Sequence, residues 1–124
     1  MKKRSASVVA VLALLGLATA LTVVVAGPAP PSGYTKQEDV GSDFIKQVGK
    51  FAVNVYKIAH MIPMSYLSTS QCWSSPAGGG ANNYWMVLRA TNWTGMAGSY
   101  VSTVWGIPGS ESKTWKLLTF NGTM

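Results

Sequence analysis

One cysteine, one histidine and four carboxylates are all that this 124-residue chain brings to metal or nucleophilic chemistry. A single cysteine excludes an internal disulfide. Cys72 is therefore either a buried apolar residue or a site of pairing between chains. A closed metal site needs several converging ligands, and one His, one Cys and the dispersed Glu38, Asp39, Asp43 and Glu111 do not supply them. Cys72 and His60 are formally enough for a nucleophile and its base, with Asn82 or Asn83 to orient the ring. A chain this small leaves little room for a substrate cleft and oxyanion donors. Cys72 is read as a strand residue and His60 as a polar helix terminus, with no catalytic residue and no cofactor.

Clustered positive charge is also missing. The formal net charge is +6, yet Lys2, Lys3 and Arg4 belong to an N-terminal segment expected to be removed. The rest carries Lys36, Lys46, Lys50, Lys57, Arg89, Lys113 and Lys116 against the four acids, about +3 and scattered. Nucleic-acid binding leaves a basic stripe, and none is present. A phosphate loop is absent too. Ala77-Gly78-Gly79-Gly80-Ala81 is followed by Asn82-Asn83-Tyr84, without the lysine and hydroxyl that such a loop needs.

What is present begins with a leader. Lys2, Lys3 and Arg4 precede an uncharged apolar run, Val8 to Ala26, that ends in small residues. That order marks a secretory signal peptide, cut after Ala26 or earlier, after Ala20. The competing reading is an uncleaved anchor, since 19 residues barely span a bilayer; it would also leave the chain outside. The expected division is a leader over 1–26, an arm over 27–41 and a domain over 42–124. The product is expected to be secreted, with no membrane contact once the leader is gone. Asn92 and Asn121 begin N-x-Thr sequons, usable for glycosylation only on that route.

Gly27 to Gly33 is proline-rich and reads as a free arm, and the polar stretch after it reads as turn. Ser42 is placed to cap a helix from Phe44 to Ala59. Phe44, Val48, Phe51, Ala52, Val55, Ile58 and Ala59 share one face of it, with Phe51 and Val55 expected toward a sheet. Pro63 stops it. Strand periodicity follows in Ile62–Tyr66, with Gln71–Trp73 continuing that strand or its partner, and then in Tyr84–Thr91, Ser99–Gly106 and Trp115–Asn121, set apart by turn clusters at 74–83, 92–98 and 107–113. One helix and three or four antiparallel strands make an α+β plan, with one sheet face on the helix and the other in solvent.

Val48-Gly49-Lys50-Phe51-Ala52-Val53 resembles the helix signature of plant cystatins, L-G-R-F-A-V. Three further segments are similar to that family in the same order: Asn83-Tyr84-Trp85-Met86-Val87-Leu88-Arg89-Ala90, Tyr100 to Trp105, and Lys116 to Phe120. The resemblance runs from Gly33 to Phe120. It implies a cystatin-like α+β fold, a four- to five-stranded antiparallel sheet wrapped around one α-helix. It implies, too, reversible inhibition of papain-like cysteine proteases. The protease-binding wedge would be Gly33 in the arm, a first hairpin at Ala77, Gly78, Gly79, Gly80 and Ala81, and a second at Pro108 and Gly109. Both hairpins depart from the family. Ala-Gly-Gly-Gly-Ala stands where Q-x-V-x-G is expected, and Gly109 stands where a tryptophan should follow Pro108. These departures leave open a second reading, a cystatin-fold protein that has lost inhibition and acts as a binding or structural module.

Overall fold

A computed structural model describes residues 27–123. The expected leader, residues 1–26, lies outside them. The elements are β1 (Lys36–Gln37), α1 (Asp43–His60), β2 (Ser65–Gly78), β3 (Ala81–Thr91), β4 (Ala97–Gly106), a 3-10 turn (Ser112–Thr114) and β5 (Lys116–Gly122). The five strands form one antiparallel sheet in chain order, and α1 packs on one face of it. The protein is an α+β fold of one helix on a five-stranded antiparallel sheet.

The helix starts where the sequence places it. Ser42 is extended (φ −71°, ψ 149°) and its side chain accepts the Ile45 N–H at 3.2 Å, satisfying one of the orphan donors of the first turn. Asp43 at the start and Lys57 and His60 at the end complement the helix dipole. At the far end the Met61 and Ile62 amides donate to the carbonyls of Ile58 and Lys57 at 3.3 and 3.2 Å. Met61 closes the helix in a left-handed conformation, φ 55°, a role usually given to glycine.

The buried face is rotated from the one expected. Ile45, Val48, Gly49, Ala52 and Val53 are buried, while Phe51 and Val55 are half-buried and Ile58 is 73% exposed. The reason is Gly49. A Cβ there would lie 2.7 Å from Thr69 Oγ1 and from Tyr66 Cε1, and 3.3 Å from Leu88 Cδ2. The helix therefore approaches the sheet along a line centred on a residue without a side chain, which hydrophobic spacing does not count as core.

The strands are longer than the periodicity suggested. Gln71–Trp73 continue the first expected strand, β2, which starts only at Ser65 and leaves Ile62–Met64 outside it, and bulges at Leu67 and Ser70 break its alternation. Within the expected arm lies β1, two exposed polar residues paired with Ser74 and Trp73. The Glu38 amide donates to the Cys72 carbonyl at 2.8 Å, and Ser74 Oγ donates to Glu38 at 2.6 Å. Lys36 and Gln37 carry no apolar signal, so an edge this short is invisible to pattern.

Among the described residues no further layer covers the sheet face away from the helix, the one expected in solvent, yet its central strand is closed off by its own neighbours. Tyr84 to Leu88 are buried without a break. Tyr84, Met86 and Leu88 enter the core under α1. On the other face Trp85 pairs with Trp73, and Val87 with Val101. Trp85 and Val87 keep only 5% and 6% exposure, as close cross-strand pairs of large side chains do.

Candidate functional site

Register fixes which loops share an end. β2 ends at Gly78 and β3 starts at Ala81, which pair; Asn82 pairs with Gly106, the end of β4. β1 runs antiparallel to β2 with Lys36 opposite Ser74, so the residues before Lys36 continue toward the same end. The turn around Gly33, the tip at 77–81 and the turn at 107–109 therefore occupy one pole, spread from the β1 edge toward β5. The structure brings together the three segments of the expected wedge.

Their local geometry differs from loop to loop. At Gly33, φ is 96°, and the Tyr34 amide donates to the Pro31 carbonyl at 3.3 Å. This is a β-turn rather than a free arm. Beyond it the chain folds back, and Gln71 Nε2 reaches the Pro28 carbonyl at 3.5 Å. Gly79 and Gly80 form a two-residue hairpin tip, with φ 61° and 82°, and Gly78 before them, the last paired residue of β2, has φ 84°. Positive φ at both central residues is the type I′ requirement, and it matches the right-handed twist of the strands. Nothing lies within 4 Å of a Cβ built on any of the three. Ala77 to Gly80 are exposed, whereas Ala81 is 3% exposed and belongs to the sheet.

The opening between β4 and β5 is a second defined turn. Gly109 has φ 77°, and Ser110 N–H donates to the Ile107 carbonyl at 3.0 Å. Proline followed by a positive-φ glycine is the type II pattern. Ile107 was not singled out by the sequence, yet it is 42% exposed beside Pro108. Its only sequence signal is its place before Pro-Gly.

Trp115 is turned inward. Its indole N–H donates to Ser110 Oγ at 2.9 Å, and its ring meets Phe44 and Phe51 edge-on, both at 5.4 Å between centroids. A Cβ at Gly106 would fall 2.8 Å from Trp115 Cδ1. The tryptophan absent from the second turn is thus not recovered by Trp115, which holds the helix to the sheet.

The remaining candidates are separate. Cys72 is fully buried in the middle of β2, and His60 is exposed at the end of α1, stacked on Tyr56 at 4.0 Å. The pair is not assembled as a nucleophile and base. Burial, and then the Glu38 charge, push the Cys72 thiol up to about 12. Pairing between chains through a wholly buried sulfur is excluded in the folded state. Among the described residues no three His, Cys, Asp or Glu side chains converge on a metal position. Asn92 lies in the β3–β4 turn at the opposite pole, where its Oδ1 accepts from Thr94 N, Thr94 Oγ1 and Met96 N at 2.9, 2.6 and 3.1 Å. Asn121 is exposed in β5 opposite Val101.

No family model, curated protein or solved structure matches this chain.

Proposed function

We propose that this chain is a secreted, cystatin-like inhibitor of papain-like cysteine proteases that closes the active-site cleft reversibly with the pole carrying Gly33, Ala77–Gly80 and Ile107–Gly109. The single observation behind this reading is that three turns, far apart in sequence, line up at one end of a hydrogen-bonded sheet. Two of them are hydrogen-bonded turns and the third is a ladder-closed hairpin. Preformed tips lose little conformational entropy on binding. The ordered resemblance from Gly33 to Phe120 supports the same reading.

A second reading is favoured by the tip itself. Three successive positive-φ positions favour glycine and strain β-branched side chains at each of them, so this loop could not take branched residues without adopting another turn. Together with the inward Trp115, this favours a cystatin-fold module that binds something other than a protease.

Titration of papain with the protein separates the two. The inhibitory reading expects reversible inhibition competitive with substrate. It also expects Ala77→Glu and Ile107→Glu, both at exposed positions, each to weaken inhibition at least about tenfold, or about 1.4 kcal/mol. Absence of inhibition by a folded protein rejects it in favour of the non-inhibitory module.

A further inference from the structure

The opposite pole carries a different surface. α1 ends there, the segment 61–64 leads from it to Ser65, and Ser65, Thr91 and Ala97 are aligned at the strand ends. The β3–β4 turn, 92–96, projects from the same end. Of the large apolar residues that are exposed, Ile58 (73%), Met61 (90%), Trp93 (70%) and Met96 (68%) all belong to this pole. Leu67, at the first bulge of β2, extends the group up its edge at 50% exposure.

Charge is divided along the same axis. Glu38 and Asp39 follow β1, Asp43 opens the helix and Glu111 precedes the 3-10 turn, so none of the four acids lies at this pole. Lys57, in the last turn of α1, and Arg89, exposed near the end of β3, are the charged groups closest to it. The apolar side chains stand at a helix end and in a tight turn. Tryptophan, with an apolar ring and a polar N–H, is a residue suited to the boundary between hydrocarbon and water.

We propose that this pole docks on an anionic lipid surface, with Trp93, Met96, Ile58 and Met61 entering the interface and Lys57 and Arg89 meeting the headgroups. The contact proposed is peripheral, made by side chains at a helix end and a turn. Surface binding of this kind combines apolar insertion with attraction to anionic lipid. The docked pole leaves the Gly33, 77–81 and 107–109 pole facing the solution. The inference does not depend on protease inhibition. An oligosaccharide on Asn92 would hold the turn in water, so docking belongs to the unglycosylated chain.

The test uses the full, unglycosylated chain with vesicles whose acyl chains carry bromine, made of phosphatidylcholine alone or with phosphatidylserine. The difference in emission between the chain and Trp93→Phe isolates Trp93 from the other tryptophans, and the double variant below, which keeps residues 1–26, separates docking by this pole from binding by those residues. Trp93 emission should be quenched at least about threefold more strongly on the anionic vesicles. The double variant Ile58→Ser, Met61→Ser, with an unchanged circular dichroism spectrum, should lose most of that quenching. Unquenched Trp93, or equal quenching on both vesicles, overturns the proposal. A dimer in sedimentation that Trp93→Ser dissolves also overturns it, assigning the pole to a second copy of the chain.

Discussion

Replacing Gly49 by alanine sets two well-defined effects against each other. In an exposed helix interior, glycine to alanine stabilises by about 1 kcal/mol, because alanine restricts the unfolded chain and favours helix. Here the new methyl would sit 2.7 Å from both Thr69 Oγ1 and Tyr66 Cε1 and 3.3 Å from Leu88 Cδ2. Those neighbours do not move away freely. Thr69 is 7% exposed and β-branched, and its hydroxyl is hydrogen-bonded to the Tyr66 hydroxyl at 2.8 Å; Leu88 is fully buried. Overpacking a filled core costs about 1–3 kcal/mol, and disturbing the Tyr66–Thr69 bond adds about 1 kcal/mol. The expected net effect is a destabilisation of about 1–3 kcal/mol. In urea, with a slope of about 1 kcal/mol/M for a domain of this size, the midpoint should fall by about 1 M or more with the slope unchanged. Asn54→Ala, on the exposed face of the same helix, serves as the control and should shift it little. If Gly49→Ala raises the midpoint, propensity has won and the sheet is not seated on the helix at this residue.

Trp115→Ala removes the ring that Phe44 and Phe51 pack against and should cost about 3–5 kcal/mol in denaturant titration. Met61→Gly relieves a left-handed residue at an exposed helix end and should stabilise by about 0.5–1 kcal/mol in thermal or urea melts. Cys72 should resist thiol reagents in the native protein and react on unfolding, because it is wholly buried. Its thiol ionises near 9.0 when unfolded but only at about 12 when folded. The unfolded state therefore gains from ionisation first, and stability should fall as pH rises from about 9 to about 12, by up to about 1.4 kcal/mol per unit. Tyr84, raised mainly by burial, acts in the same direction, so Cys72→Ala should make that slope shallower without abolishing it.

The sequence by itself determined the elements whose causes are local. Ser42 and Pro63 bracket a helix because one can cap a first turn and the other disfavours helix before it. The glycines at 78–80 and the Pro108-Gly109 pair mark tight turns because only particular residues fit positive φ. The stretch from Tyr84 to Thr91 marks a strand because it is rich in strand formers, though it does not show that both of its faces are covered. Tertiary structure decided whatever depends on what lies across a gap. Which helix stripe is buried was set by the close approach of Thr69 and Tyr66 to Gly49, which carries no hydrophobic label. The edge strand at Lys36–Gln37 exists because β2 offers it a partner, not because its own residues favour extension. Trp115 reads from the sequence only as the start of the last strand; Phe44, Phe51 and Ser110 closing around it make it part of the core. The alignment of three distant turns at one pole, and of exposed apolar tips at the other, follows from strand register. Register is a relation between segments, and no single stretch of the chain contains it.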